Sequence, residues 1–447
     1  MVENFEIRGE WFYPDNPSNS IRGKLIYNVL TGMTLDLEGS YSNSDFSLPD
    51  IDILYGDTEK GKFTLFNIFC TQIKRGSSVY FQSFYVNIAY KGIYAKNLLD
   101  ADFYEAKFQY YGMQSYFKTS GIKLTSKDDP NNWNIQYQKP PVISAETNDG
   151  KIEISFVGRY NFGRIDEGKE SKSVSLSEEL EVKYTFRSPK SMIDAKSQSD
   201  SLASLFSLLS GNVVFTSNIL LNSVSDEEPV IVYFKNQYLR NTYKNHRKQH
   251  VPIESIQDLP TLISTWFSRV NSFRSVLNLR EQAILNYEQF NENRFLDAVT
   301  VLETFHRKFF NQDITQDQTI TDTIASIFES GLITDEYKDF FKKRLAPQSQ
   351  KSLLQRLLDI FHSLNKVAKN LISDDFEDLA KRIRDTRNSY THNSGRKRKS
   401  VLRLTEMADS TINCEKLLEY MILKELGVEE DMLSKQFAKH RIFKKNP

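Results

Sequence analysis

Two periods of apolar and polar positions divide the chain. From residue 5 to about 187 the repeat is two. Lys24-Leu25-Ile26-Tyr27-Asn28-Val29, Met33-Thr34-Leu35-Asp36-Leu37-Glu38, Lys62-Phe63-Thr64-Leu65, Tyr85-Val86-Asn87-Ile88-Ala89-Tyr90, and residues 151–157 and 180–186 alternate or are rich in β-branched and aromatic side chains. That pattern belongs to strands half buried on a sheet. Pro14-Asp15-Asn16-Pro17, Asn43-Ser44-Asp45, Asp128-Asp129-Pro130-Asn131 and Asn148-Asp149-Gly150 punctuate them as turns. Many strands with few helices between them predict an antiparallel sandwich or barrel-like sheet.

After Pro189 the spacing predicts a helix over 191–210, carrying Met192, Ile193, Leu202, Leu205, Phe206, Leu208 and Leu209 and stopped by Gly211. Two further strands, 213–221 and 230–234, complete the first domain, and the polar, basic stretch 241–250 reads as a linker. From about 255 the repeat is helical. Asp258 caps a helix with Pro260 in its first turn and Leu262, Trp266, Val270 and Phe273 on one face. Further helices are predicted over 292–310, 321–328, 335–345, 349–364, 374–390 and 400–426, the last ended by Gly427. The fold expected is α+β in two domains: a β-rich amino-terminal domain over 1–250, with its helix near 191–210, and an all-α bundle over 251–447. The charged tail from 428 predicts partial order.

Composition supports two real cores. The 447 residues exceed one ordinary core, and 39% apolar and 13% aromatic residues with only 18 Gly and 12 Pro exclude a disordered chain. Formal net charge is zero, so any attraction for polyanions must be local. It concentrates after residue 380, where sixteen Lys and Arg stand against nine Asp and Glu. Cys70 and Cys414 form neither a disulfide framework nor a thiolate metal site. The first residues lack a basic or apolar leader, and no run approaches about 18 apolar residues. A cytoplasmic protein without a membrane partner is expected.

Most motif matches lose to simpler readings. Gly56-Asp57-Thr58-Glu59-Lys60-Gly61-Lys62 approximates a phosphate-binding loop, but Phe63 replaces the magnesium-binding Ser or Thr and a strand follows instead of a helix. It reads as a turn between strands. Glu303 and His306 have the i, i+3 spacing of di-iron bundles without a second such pair. His246 and His250 lack a third ligand. No serine elbow or cysteine–histidine pairing occurs, so neither metal nor cofactor is expected.

One stretch concentrates useful chemistry: Arg387-Asn388-Ser389-Tyr390-Thr391-His392, followed by Asn393-Ser394-Gly395 and the basic run Arg396-Lys397-Arg398-Lys399. Phe376, Leu379, Ile383 and Tyr390 trace one face of the preceding helix, and Arg387 falls on that stripe. A core-facing arginine is costly unless it has a partner or faces a cleft. In a regular helix five residues turn about 140° beyond a full circle, so His392 would point away from Arg387. Gly395 predicts that the helix loosens near His392, which would let both line one groove. The simpler alternative is a surface Arg beside a helix-terminal His⁺ that complements the macrodipole.

At these residues the sequence resembles the HEPN superfamily of helical-bundle proteins, many of them metal-independent ribonucleases, whose signature is Arg, a polar residue and then His. Here Arg387, Asn388 and His392 match it with the shortest spacing. The segment Phe295-Leu296-Asp297-Ala298-Val299-Thr300-Val301-Leu302-Glu303-Thr304-Phe305-His306 looks like the HEPN helix with an acidic residue near the site. Gly9-Glu10-Trp11-Phe12-Tyr13-Pro14-Asp15-Asn16-Pro17, followed by Gly23-Lys24-Leu25, looks like the β-rich domain of ApeA-type bacterial anti-phage proteins. The resemblance implies an endoribonuclease effector of abortive infection, acting on RNA such as tRNA or mRNA. It further implies a homodimer through the helical domain and a phage-derived trigger at the amino-terminal domain. Arg387, His392 and Asn388 would be catalytic, and Glu303 would support them by orienting Arg387 or His392. Arg384 and Arg396-Lys397-Arg398-Lys399 would grip RNA phosphates. A non-catalytic module that binds RNA or protein, with a ligand-sensing β domain, is the alternative.

Overall fold

The computed structural model describes residues 4–41, 50–75, 80–100, 102–126, 133–162, 174–223, 228–235, 250–285, 292–310, 318–334, 336–337, 339–340, 351–392 and 400–443. The chain separates into two compact units, Met1–Val270 and Asn271–Pro447.

In the first unit, β1 (Phe5–Tyr13), β2 (Asn16–Asn28), β3 (Gly32–Leu37), β4 (Asp50–Thr58), β5 (Gly61–Arg75) and β6 (Tyr80–Lys91) pair in the order β1-β2-β3-β6-β5-β4. β4 returns to β1, with Trp11 opposite Gly56, so the six strands close a barrel. The sequence left sandwich and barrel open; the β5–β6 ladder decides for the barrel. Alternation then has one consequence: Leu25 and Tyr27, Leu35 and Leu37, and Phe84 and Val86 all turn inward, where they pack with Ile7, Trp11, Leu54 and Phe63. Thr58 and Gly61 face each other across the turn between β4 and β5, so the loop-like motif is a hairpin turn.

One strand serves two structures. β6 gives its first half to β3, through Gln82 to Val86, and its last residues, Ile88 to Lys91, to β14 (Val230–Phe234). From there an open antiparallel sheet continues through β13 (Phe215–Ser223), β7 (Phe103–Tyr111), β12 (Val174–Lys190), β11 (Gly150–Phe162) and β10 (Ile143–Glu146). The hairpin of β8 (Ile122–Ser126) and β9 (Trp133–Tyr137) is separate. The short α1 (Met113–Phe117), which sequence reasoning did not predict, and α2 (Met192–Ser210) cover the open sheet. Ser191 opens α2 with a reciprocal capping box to Asp194, and Gly211, at φ 69°, closes it in the left-handed conformation that glycine adopts without strain.

α3 (Leu259–Leu285) is capped by Asp258, which accepts from the Thr261 N–H at 3.0 Å. The units divide inside this helix, later than the linker expected at 241–250, of which 241–249 lies outside the described residues. The reason is packing: buried Trp266 donates its indole N–H to the Ser201 carbonyl at 2.9 Å, which ties the first turns of α3 to α2.

In the second unit α4 (Glu292–Phe309), α6 (Leu353–His362), α8 (Phe376–His392) and α9 (Leu404–Glu425) pack together around Phe295, Leu302, Leu357, Ile360, Ile383 and Leu418. Arg294 grips Glu415 with two hydrogen bonds, 2.7 and 2.8 Å, between α4 and α9. α5 (Gln318–Glu329) matches its expected place; of the helix expected over 335–345, only 336–337 and 339–340 are described. Two helices escaped the sequence reading: α7 (Lys366–Ile372), capped by Asn365, and α10 (Glu430–Lys439), whose Leu433 and Phe437 are fully buried although the segment is charged. No helix among the described residues is long and apolar enough to cross a membrane.

Candidate functional site

α8 starts from an acidic cap. Asp375 accepts from the Asp378 N–H at 2.9 Å, and Glu377 and Asp378 occupy the first turn, where the helix dipole favours negative charge. Its buried stripe is Leu379, Ala380, Ile383 and Thr386. Tyr390, expected to prolong that stripe, is 46% exposed instead. The stripe turns toward Thr386 because the chain beyond residue 399 packs there.

Three contacts hold the last turns of α8 against that returning chain. Thr386, fully buried, donates its hydroxyl to the Arg382 carbonyl at 2.7 Å and accepts the Leu402 N–H at 2.9 Å. Asp385, also buried, accepts from Ser400 at 2.5 Å and pairs with Arg384 at 2.7 Å. Arg382 reaches Glu406 at 2.6 Å in the first turn of α9, and Arg382 hydrogen bonding holds the Glu406 carboxyl below its usual pKa. Residues 382–386 of α8 are thereby joined to residues 400–406, the described chain on the far side of the basic segment 393–399. Arg396-Lys397-Arg398-Lys399 themselves lie outside the described residues.

Arg387 and Asn388 follow these anchors, half buried, with the Arg387 guanidinium 3.5 Å from the Asn388 side-chain amide oxygen Oδ1. Arg384, the remaining expected RNA-binding residue, is engaged with Asp385. The helix does not loosen before its end: Thr391 donates to the Arg387 carbonyl at 2.9 Å, and the helical backbone runs through His392, whose side chain is outside the described residues. Arg387 and His392 therefore occupy positions about 140° apart around one regular helix.

Glu303 has partners other than those expected. Among the described residues its carboxylate pairs with Arg307 at 2.7 Å and lies 3.9 Å from Arg356, not with Arg387. Beside it His306, almost fully buried, bonds Asp359 at 2.7 Å through Nε2 and stacks on Phe310, and Lys351 meets the same Asp359 oxygen at 2.7 Å. Burial pushes the His306 pKa down, and the Asp359 contact opposes that shift only in part. Sequence reasoning missed Arg356. The signal was available: Leu353, Arg356, Leu357 and Ile360 follow the i, i+3, i+4, i+7 spacing of a buried helix face, with an arginine in an apolar place.

Against this geometry, the family model described as ApeA N-terminal domain 1 matches residues 6–266, and that described as Apea-like HEPN matches residues 296–432. The first spans the barrel, the open sheet and the start of α3; the second spans α4 through α9. No curated protein and no solved structure matches the chain.

Proposed function

Because the chain belongs to the ApeA-type HEPN proteins, a family of anti-phage effectors, we propose that it is a metal-independent endoribonuclease whose activity is released by infection. The observation that carries this reading is α8. One helix bears Arg387, Asn388 and His392, its Asp385 and Thr386 bond Ser400 and Leu402, and four consecutive cations lie in the sequence between.

RNA supplies its own nucleophile. Attack of the 2′-hydroxyl on the adjacent phosphorus breaks the bond to the 5′-oxygen and leaves a 2′,3′-cyclic phosphate and a 5′-hydroxyl. The step needs one proton removed, one delivered and a crowded anion stabilised. Imidazole has a reference pKa near 6.5, which suits His392 to either proton transfer. Arg387 stays charged and offers a two-pronged fork to phosphate oxygens as charge develops. Asn388, beside that guanidinium, orients it or the phosphate. Glu303 acts at a remove, through Arg307 and Arg356.

A single imidazole cannot readily serve as base and acid in one step, and Arg387 and His392 diverge around their helix. A second copy placing its α8 against the first would supply the missing face, so we assign a homodimer through the helical domain with a composite site. The amino-terminal domain would receive the phage-derived trigger, and cleavage of tRNA or mRNA in the cytoplasm would halt growth.

The test uses labelled RNA in EDTA with the wild type, Arg387→Ala and His392→Ala. Cleavage that both substitutions reduce by about a hundredfold or more, without change in melting temperature, supports the assignment. Cleavage that survives both overturns it. Purified protein lacking activity is then expressed in infected cells, where growth arrest that depends on both residues is the expected result.

A further inference from the structure

Tyr390 is the part of the α8 stripe that the core leaves open. Leu379 and Ile383 are buried, Arg387 one turn further is half buried, and Tyr390 is 46% exposed. The contacts with the returning chain all lie before it, at Arg382, Asp385 and Thr386. Among the described residues the Tyr390 hydroxyl bonds no other group and its ring stacks on no other ring.

Helix geometry puts this ring with the arginine. Arg387 and Tyr390 stand three residues apart on one regular helix, about 60° around its axis and with Cβ atoms about 5–6 Å apart. His392 stands about 160° from Tyr390. The ring therefore shares the side of α8 that presents the guanidinium, not the side of the imidazole. Among the described residues Arg387 meets the Asn388 side-chain oxygen, at 3.5 Å, and no carboxylate.

A cation and an open aromatic face one turn apart fit the two halves of a nucleotide. The guanidinium takes phosphate through its planar fork. The ring offers a face on which an unpaired base can stack, whereas a base inside a duplex is already covered by its neighbours. A lone exposed tyrosine is ordinary on a protein surface, and its place one turn from Arg387 and two residues before His392 singles this one out.

We propose that Tyr390 stacks the base of the nucleotide whose phosphate Arg387 holds, so that the substrate is an unpaired stretch of RNA. The proposal rests on RNA being the substrate, as read above. With base and phosphate both held, the ribose between them is oriented and its 2′-hydroxyl loses freedom before the reaction begins.

The experiment measures fluorescence anisotropy of a labelled single-stranded 2′-O-methyl oligoribonucleotide, which lacks the free nucleophile and cannot be cleaved, on the full chain over a range of KCl concentrations. Tyr390→Leu keeps an apolar side chain and removes the stacking face, so it should bind between about fivefold and a hundredfold weaker. Tyr390→Phe and Tyr390→Trp keep a ring and should stay within about twofold of the wild type. The slope of log affinity against log salt should not change in Tyr390→Leu, since no charge is lost, but should shrink by about 0.7 in Arg387→Gln. A strand of the same length without bases should bind the wild type and Tyr390→Leu alike. Tyr390→Ala repeats the measurement if Tyr390→Leu does not fold, as judged by thermal melting, and failure of both to fold would contradict an open ring. A folded Tyr390→Leu with wild-type affinity, or an equal loss on the strand without bases, overturns the proposal. So does a Tyr390→Leu that turns a dimer into a monomer in light scattering, which places the ring under a second copy instead. If the wild type nonetheless cleaves RNA, only this inference falls; a wild type that neither binds nor cleaves RNA removes the substrate reading as well.

Discussion

Thr386→Val tests how the candidate site is held. Valine keeps the shape of threonine and removes the hydroxyl, which is fully buried and bonds the Arg382 carbonyl at 2.7 Å and the Leu402 N–H at 2.9 Å. The Arg382 carbonyl still has the helix N–H four residues on, so its loss is small. The Leu402 N–H becomes a buried donor without an acceptor, which costs about 1–3 kcal/mol. For a unit of this size each kcal/mol shifts the melting temperature by about 2–4 °C, so a loss of about 4–8 °C is expected at the middle of that range. The lost bond joins the last turns of α8 to the strand of chain leaving the basic segment, so RNA cleavage should fall more than stability alone explains at temperatures well below melting. Thr386→Ser keeps the hydroxyl and should retain most of the activity. Calorimetry with a cleavage assay at low temperature decides. A Thr386→Val protein that melts within about 1 °C of the wild type and cleaves normally would refute the anchoring argument.

Gly211→Ala should destabilise the amino-terminal unit by about 1–2 kcal/mol or more, because φ is 69° and an added Cβ would stand 2.6 Å from His250 Nε2; a denaturant midpoint equal to that of the wild type would contradict it. His306 supplies a pH test. Its folded pKa is lowered by burial, so the unfolded chain binds the proton first, and its stabilising contribution, complete above pH 6.5, is lost as pH falls through the lowered folded value. Melting temperature should therefore drop on acidification below pH 6.5 more steeply in the wild type than in His306→Gln, and parallel curves would show that His306 carries none of that dependence.

The helical site shows how far a local pattern reaches. Periodicity located α8 and the Arg-polar-His spacing marked its end, but the same pattern assigned Tyr390 to the buried stripe. Where a stripe ends depends on what packs against it, and the segment that covers Thr386 is Ser400 to Leu402, beyond the basic run. Glu303 fell on a helix that was correctly anticipated, yet its partner Arg356 is more than fifty residues further along the chain. Its bonded partner Arg307, at i+4 and 2.7 Å, follows from helix spacing, whereas which distant cation the fold brings near does not.

By itself the sequence determined what local physics controls: strands where apolar residues alternate, helices where they recur every three or four positions, the Asp258 cap, and the Gly211 stop. Its motifs also carried the family. Tertiary structure alone decided that six strands close into a barrel, because closure depends on β4 finding β1 and β5 finding β6 in register. It decided that β6 divides one edge between barrel and open sheet, and that Leu433 and Phe437 turn a charged tail into a buried helix. It also brought buried Arg356 of α6 to within 3.9 Å of Glu303 on α4. These are contacts between distant residues, whose energies appear only once the chain has closed the loops between them.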